Sequence, residues 1–523
     1  MSSSPVVSAC ISIIALALCA IHTTNASNIL VFFPMPSYSH YTLAHRLAEG
    51  LAEKGHQVTM IAPYKQEKTA ENYKQLYIEN LAKIVQEKKT VFFDMESMWP
   101  IQQIHLCYQL GYVISEYVLT YQPILDLVKT KKGHFDVVIM DQFYDESLTG
   151  IAYKLDAPLI YFSTLVSSIW VNHLVANPAP VSHVPNIFFD YSGRMDFTDR
   201  LHNWFLMVAE EAYRHFISFP YHNELLHKAF PDAPHVYDLL YKRDGFILVN
   251  SHVSINDPVP HVPNMIEIGG FHVKAGELPK DMKKIIDEAK NGVVFFGMGS
   301  NLKVSLLPEE KKKAILRALG RINQTVFWKW EEDTIEGKPD NVILGKWFPQ
   351  QAILAHPNTK AFISHGGLLS TIEAVSLGKP ILGIPIYADQ KMNINLAVSR
   401  GYALTVPYKQ LNEENLFQAL DQLINNSSYT ETVKWRSAMM HDRLVHPLKE
   451  AIYWVEHVIK HKGAHHFRSK AMDLKWYEYE MIDVALLLVV VTLATCAAIL
   501  YACKSLLGSP SHVSHANGIK KRQ

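Results

Sequence analysis

At 523 residues, 48% of them apolar, the chain can fill more than one hydrophobic core, and two domains are expected. Lys plus Arg and Asp plus Glu number 50 each, so nothing in the global charge points to nucleic acid or to a basic membrane-binding surface. The 26 histidines are scattered, and no spacing of His, Cys and carboxylates resembles a zinc framework, so no metal site is expected.

The N-terminal stretch has an apolar run from Val6 to Ile21 and then Thr24-Asn25-Ala26 before Ser27. This is the shape of a signal peptide, residues 1–26, cleaved after Ala26; without Lys or Arg in its n-region, a weak anchor is the competing reading. Residues 27–270 and 291–463 read as two domains joined by a charged linker, 271–290. A membrane-proximal segment, 464–483, leads to an uncharged run, 484–503, long enough to cross a bilayer. The tail, 504–523, starts at Lys504 and ends Lys520-Lys521-Arg522-Gln523, so the positive-inside rule places it in the cytosol and the body across the membrane. Cys10 and Cys19 lie in the signal and Cys496 and Cys503 in the span, which leaves Cys107 alone in the body and no intrachain disulfide there. Asn323, Asn425 and Asn426 head glycosylation sequons.

In the body, Asn28–Pro34 is a continuous apolar run of the kind found in central parallel strands. A loop with Pro36, Ser37, Ser39 and His40 follows, then leucines and alanines at helical spacing from Leu43 to Ala52, stopped at Lys54-Gly55. His56–Ala62, Phe135–Met140, Pro158–Phe162 and Phe246–Val249 continue a doubly wound α/β sheet. The aromatic, poorly periodic excursions 64–130 and 164–240 are expected to build a ligand pocket. A second α/β pattern starts at Val293–Phe296 with the turn Gly297-Met-Gly299-Ser300-Asn301 and continues through Pro308–Leu319, Thr325–Trp330, Pro380–Ile384 and Tyr402–Val406. Residues 411–463 read as helices. Within this half, Phe362-Ile-Ser-His365-Gly366-Gly367-Leu-Leu-Ser370-Thr371-Ile-Glu373 reads as strand, glycine turn and helix N-terminus. The unpaired N–H groups and macrodipole there suit a phosphate or diphosphate, with a purely structural turn as the other reading.

From Trp347 through Gly401, WFPQQAILAHPNTKAFISHGGLLSTIEAVSLGKPILGIPIYADQKMNINLAVSRG resembles the signature of the UDP-glycosyltransferase family, with an HGGLLST variant similar to arthropod members. The strand–His loop, the C-terminal span and a tail like a dilysine retrieval signal extend the likeness over essentially the whole chain. The resemblance implies two facing Rossmann-like domains of the GT-B type, an N-terminal one for the acceptor and a C-terminal one for a UDP-sugar, plus one C-terminal transmembrane helix. It further implies a single-pass type I protein of the endoplasmic reticulum membrane with luminal catalytic domains. No resident cofactor is implied, only a co-substrate, UDP-glucose first and UDP-glucuronate second. A small lipophilic acceptor is the expected partner, nucleic acid is not, and a homo-oligomer is left open.

The resemblance assigns roles residue by residue. Trp347 offers a flat face to uracil, against a core or strand-end Trp as the alternative. Gln350 and Glu373 resemble ribose contacts, although Glu373 also suits a surface acid complementing the helix dipole. His365, Ser300, Ser370 and Thr371, with the backbone of Gly367, resemble the diphosphate set. Asp389 and Gln390 resemble the pair that binds the sugar hydroxyls, with a helix N-cap as the other reading of Asp389. His40 resembles the catalytic base and Asp141 its partner, with Asp136 and Asp145 as competitors. Tyr38, Phe143 and Tyr144 are expected to face an apolar or aromatic aglycone. The implied reaction is one in-line displacement giving a β-glycoside without a metal. Leu369 replaces an Asn common in other animal members, and no arginine stands beside Pro258–Asn264 where many relatives carry one.

Overall fold

The computed structural model describes residues 26–66, 70–87 and 93–507. The expected signal peptide, but for Ala26, and the cytosolic tail beyond 507 lie outside them. The chain forms two compact units, one through Arg468 and one from Ser469.

In the first unit, the apolar runs become two parallel sheets. One contains β1 (Asn28–Phe32), β2 (Gln57–Ala62), β3 (Tyr73–Tyr77), β4 (Val137–Asp141), β5 (Leu159–Ser163), β6 (Phe246–Val249) and β7 (Met265–Glu267), in the order β3-β2-β1-β4-β5-β6-β7. The other contains β8 (Val293–Gly297), β9 (Thr325–Lys329), β10 (Val342–Gly345), β11 (Thr359–Ser364), β12 (Ile381–Gly383) and β13 (Ala403–Thr405), in the order β10-β9-β8-β11-β12-β13. Both orders reverse direction after their first strand, so β1 lies beside β4 and β8 beside β11. Ligands of doubly wound sheets bind in the crevice at that switch point, beyond the carboxyl ends of the strands.

The central strands are buried on both faces, which explains their unbroken apolar runs. The edge strands β3, β7 and β10 carry polar or glycine positions and were not expected from the sequence. Four helices position the site: α1 (Tyr38–Glu53), α2 (Pro100–Thr120), α3 (Leu368–Ser376) and α4 (Gln390–Ser399). Helix α2 lies within the excursion 64–130, which is therefore more regular than its sequence suggests. The linker contains a helix, Lys280–Glu288.

One correction concerns the end of the second domain. Helix α5 (Pro447–Lys460) falls inside the expected span 291–463, yet Leu448, Ala451, Ile452, Val455 and Val458 pack in the core of the first sheet, against α1 and β4. The physical reason is an apolar stripe at helical spacing that the first sheet leaves room for: Gly50 of α1 presents no Cβ, and one there would stand 3.0 Å from Leu448 Cδ1. Within the second unit, α6 (Ile482–Leu507) runs 26 residues, and its most apolar 18-residue window has a mean hydropathy of 2.6 with none of its residues buried. It is long and apolar enough to span a bilayer.

Candidate active site

Strand order brings the catalytic candidates together. The chain leaves β1 through Ser37, the N-cap residue of α1, and His40 sits in the first turn of that helix rather than in a loop. Asp141 is the last residue of the neighbouring β4. His40 Nδ1 lies 2.6 Å from Asp141 Oδ2, and Asp141 is 0% exposed. A carboxylate at that distance accepts the Nδ1–H, which fixes the tautomer and leaves Nε2 with a lone pair. Thr164 Oγ1 stands 3.3 Å from Nε2, and the Phe143 ring meets the imidazole edge to face at 5.5 Å. The competing carboxylates are occupied elsewhere. Asp136 accepts from the Asn28 amide at 2.7 Å, at the far end of the strands. Asp145 accepts from the Phe143 amide at 3.2 Å, and burial, followed by the charge of Asp141, pushes its carboxyl well above the usual range.

At the second switch point, Gly366 of the turn after β11 lets Ile394 approach and Gly367 makes room for His365. Gly299 (φ +72°) and Gly367 flank the imidazole: a Cβ on the first would lie 2.7 Å from Cε1, and one on the second 2.7 Å from Nε2. Burial, reinforced by the Lys329 ammonium, holds this imidazole down to about 4, so it is neutral at physiological pH. Ser300 and Ser370 line the same cavity, which the N-terminus of α3 faces. Thr371 does not line it. Its hydroxyl donates to the Gly367 carbonyl at 3.2 Å, because a threonine one turn into a helix reaches back to the i−4 oxygen.

Glu373 is held as an acceptor. Gln350 Nε2 donates to its Oε2 at 2.5 Å, and Gln351 Nε2 donates to its Oε1 at 2.8 Å. Each carboxylate oxygen has a second lone pair, so the pair of oxygens retains capacity for two vicinal hydroxyls. Trp347 is 57% exposed, with the Tyr38 ring edge-on at 4.8 Å and Lys329 Nζ 4.8 Å from its ring centroid. An indole that open is not a core residue. Lys329, at the end of β9, also donates to the Gly299 carbonyl at 2.7 Å. It places a cation beside the diphosphate candidates, and sequence reasoning missed it. The only signal was a lone Lys next to the end of the strand run Thr325–Trp330.

Asp389 is the N-cap residue of α4, but its side chain makes no cap hydrogen bond; Oδ2 accepts from Asn393 Nδ2 at 2.6 Å. Burial pushes this carboxyl up to about 6. Gln390 Oε1 accepts from the amides of Ile386 at 2.9 Å and Tyr387 at 3.2 Å. Together with His40, these residues border one cavity of about 820 Å³ between the two sheets. On the first-sheet side its wall is apolar, with Leu106, Leu110 and Val113 of α2, Phe143 and Leu165. Tyr38 belongs to this wall, whereas Tyr144 is fully buried away from it, its hydroxyl 3.4 Å from Glu210. Leu369 lines the cavity and packs against the first sheet's core.

Comparisons with known proteins bear on the family and the fold. A family model described as UDP-glucoronosyl and UDP-glucosyl transferase matches residues 27–511. UDP-glucosyltransferase 2 of Dactylopius coccus is 34% identical over 97% of this chain and 99% of its own length. Human UDP-glucuronosyltransferase 1A8 is 34% identical over 75% of this chain and 74% of its own. Among solved structures, the calicheamicin glycosyltransferase CalG4 superposes with a TM-score of 0.59 at 16% identity, covering 84% of this chain and 99% of that one. This last likeness concerns the fold, two facing Rossmann-like domains of the GT-B type.

Proposed function

Since the chain belongs to the UDP-glucoronosyl and UDP-glucosyl transferase family, we propose that it transfers glucose from UDP-glucose to a hydroxyl of a small lipophilic acceptor with inversion, His40 acting as base. The observation that carries this reading is the 2.6 Å pair of His40 and Asp141 at the lip of a cavity whose opposite wall holds Glu373, Gln350 and His365. Nε2 takes the acceptor's hydroxyl proton as its oxygen bonds to the anomeric carbon. The bond from that carbon to the β-phosphate oxygen breaks, and its electron pair leaves with UDP. Asp141 stabilises the imidazolium that forms.

In this scheme Trp347 stacks on uracil and Glu373, oriented by Gln350 and Gln351, accepts from the ribose hydroxyls. Charge on the departing diphosphate is met by Ser300, Ser370, the neutral His365, the Gly367 backbone, the α3 N-terminus and Lys329, without a metal ion or a resident cofactor. Asp389 and Gln390 bind the sugar. The apolar wall formed by α2 favours a lipophilic aglycone. Helix α6 anchors the enzyme in the endoplasmic reticulum membrane with the catalytic unit luminal, the polar tail being cytosolic.

The UDP-glucuronosyltransferase reading uses the same residues and differs only at the donor sugar. A donor screen against a phenol panel, with the anomeric configuration of the product read by proton NMR, tests the proposal. A β-glucoside formed from UDP-glucose, insensitive to a chelator, is the expected result. An α-linked product would refute the displacement, and preferential use of UDP-glucuronate would refute the sugar assignment.

A further inference from the structure

The loop that presents Asp389 is held in part by the other half of the molecule. Its residue Ala388 has φ +53°, in the left-handed region that an alanine adopts at a cost. Three consecutive amides in this loop are captured by side-chain oxygens. Gln390 Oε1 takes those of Ile386 and Tyr387. The Ala388 amide donates instead to Gln103 Oε1 at 3.0 Å, and Gln103 belongs to α2, in the first half.

Gln103 is itself fixed. It is 3% exposed, and its Nε2 donates to the carbonyls of Met95 and Met98, each at 3.2 Å. Those two acceptors demand the NH2 group, so the amide has one orientation and its oxygen must face Ala388. A second tie lies alongside: Lys391 Nζ donates to the Glu96 carbonyl at 3.2 Å. One turn further along α2, Leu106 and Cys107 line the acceptor side of the cavity.

We infer that Gln103 is a positioning residue for the donor sugar, a latch through which the acceptor-lining helix α2 holds Ala388 left-handed and so sets Asp389 against the sugar hydroxyls. The inference rests on reading Asp389 and Gln390 as sugar ligands. The physical logic is specific to alanine. A left-handed alanine relaxes to negative φ once its amide loses the bond that holds it, and the carboxyl of the next residue swings with the peptide. Glycine at this position bears no such penalty, so it needs the latch far less. The uracil and ribose candidates, Trp347, Gln350 and Glu373, lie on other elements and are untouched by this loop.

The test uses the detergent-solubilised full chain and titration calorimetry with UDP and with UDP-glucose. Gln103→Met, nearly isosteric but unable to accept, is expected to weaken UDP-glucose about five- to tenfold, the size of one lost side-chain-to-backbone bond with the attendant relaxation. UDP affinity is expected to stay within a factor of two or so, again on the scale of such contacts. Adding Ala388→Gly to Gln103→Met is expected to recover most of the loss, which a general packing role for Gln103 would not produce. Equal weakening of UDP and UDP-glucose, or no recovery in the double variant, overturns the latch. Asp389→Asn separates the two readings. Full UDP-glucose affinity in Gln103→Met alongside loss in Asp389→Asn overturns the latch alone. Full affinity in both overturns the latch and the sugar assignment together.

Discussion

Replacing Asp141 by Asn removes one charge and almost no volume from beneath the proposed base. With the N–O contact at 2.6 Å, the centres of the imidazolium and carboxylate charges lie about 4 Å apart. At an effective dielectric constant of about 20, that pair is worth about 4 kcal/mol when His40 is protonated and little when it is neutral. The stabilisation therefore appears only as the proton arrives, and its loss corresponds to about a 10³-fold fall in kcat. Asparagine can also turn its NH2 toward Nδ1, which would move the ring proton to Nε2 and abolish the base. Steady-state turnover of UDP-glucose and a phenol by the full chain is the assay, with UDP affinity and the unfolding midpoint as controls. Neither control is expected to fall, because Asp141 lies away from the uracil and ribose candidates and its Oδ1 has no hydrogen-bond partner to lose. Turnover within tenfold of the parent enzyme would refute the reasoning.

Three further outcomes follow from the site. Trp347→Ala should weaken UDP by about 1–3 kcal/mol of lost stacking, read by calorimetry, while leaving the unfolding midpoint unchanged because the indole is 57% exposed. Asp389 has a carboxyl raised to about 6, and it accepts sugar hydroxyls best when ionised. UDP-glucose affinity should accordingly be full above neutrality and fall as pH drops through about 6, whereas the Asp389→Asn protein shows no such step. Leu448→Ala removes a buried side chain of α5 from the first sheet's core, and denaturant unfolding should record a loss of about 2–5 kcal/mol.

The parts legible in the sequence were those fixed by local pattern. Asn28–Phe32 and Val293–Gly297 read as strands because strands covered on both faces are apolar throughout. Asp141 could be preferred over Asp136 because the direction of β4 decides which carboxylate reaches the ligand edge. What was hidden depends on contacts distant in the chain. Strand β3, Tyr-Lys-Gln-Leu-Tyr, is an edge strand whose partner alone makes it one. Helix α5 advertises an apolar face without saying which sheet will cover it. Lys329 looked like the polar end of a strand until β9 carried it beside Gly299 and Trp347. Gln103 lies 285 residues from the amide it holds, and no spacing rule connects them. Thr371 and Tyr144 show the reverse case, since both sit beside site residues in sequence while their side chains point elsewhere.

The central claim is that His40 removes the acceptor's proton in a site where UDP binds independently of it. His40→Ala tests it in a single protein with two readouts, turnover and UDP affinity. Turnover is expected to fall by about 10²–10⁴, the range for loss of a general base, with UDP affinity unchanged. A His40→Ala enzyme that turns over like its parent, or one that loses UDP binding in step with activity, would contradict the account.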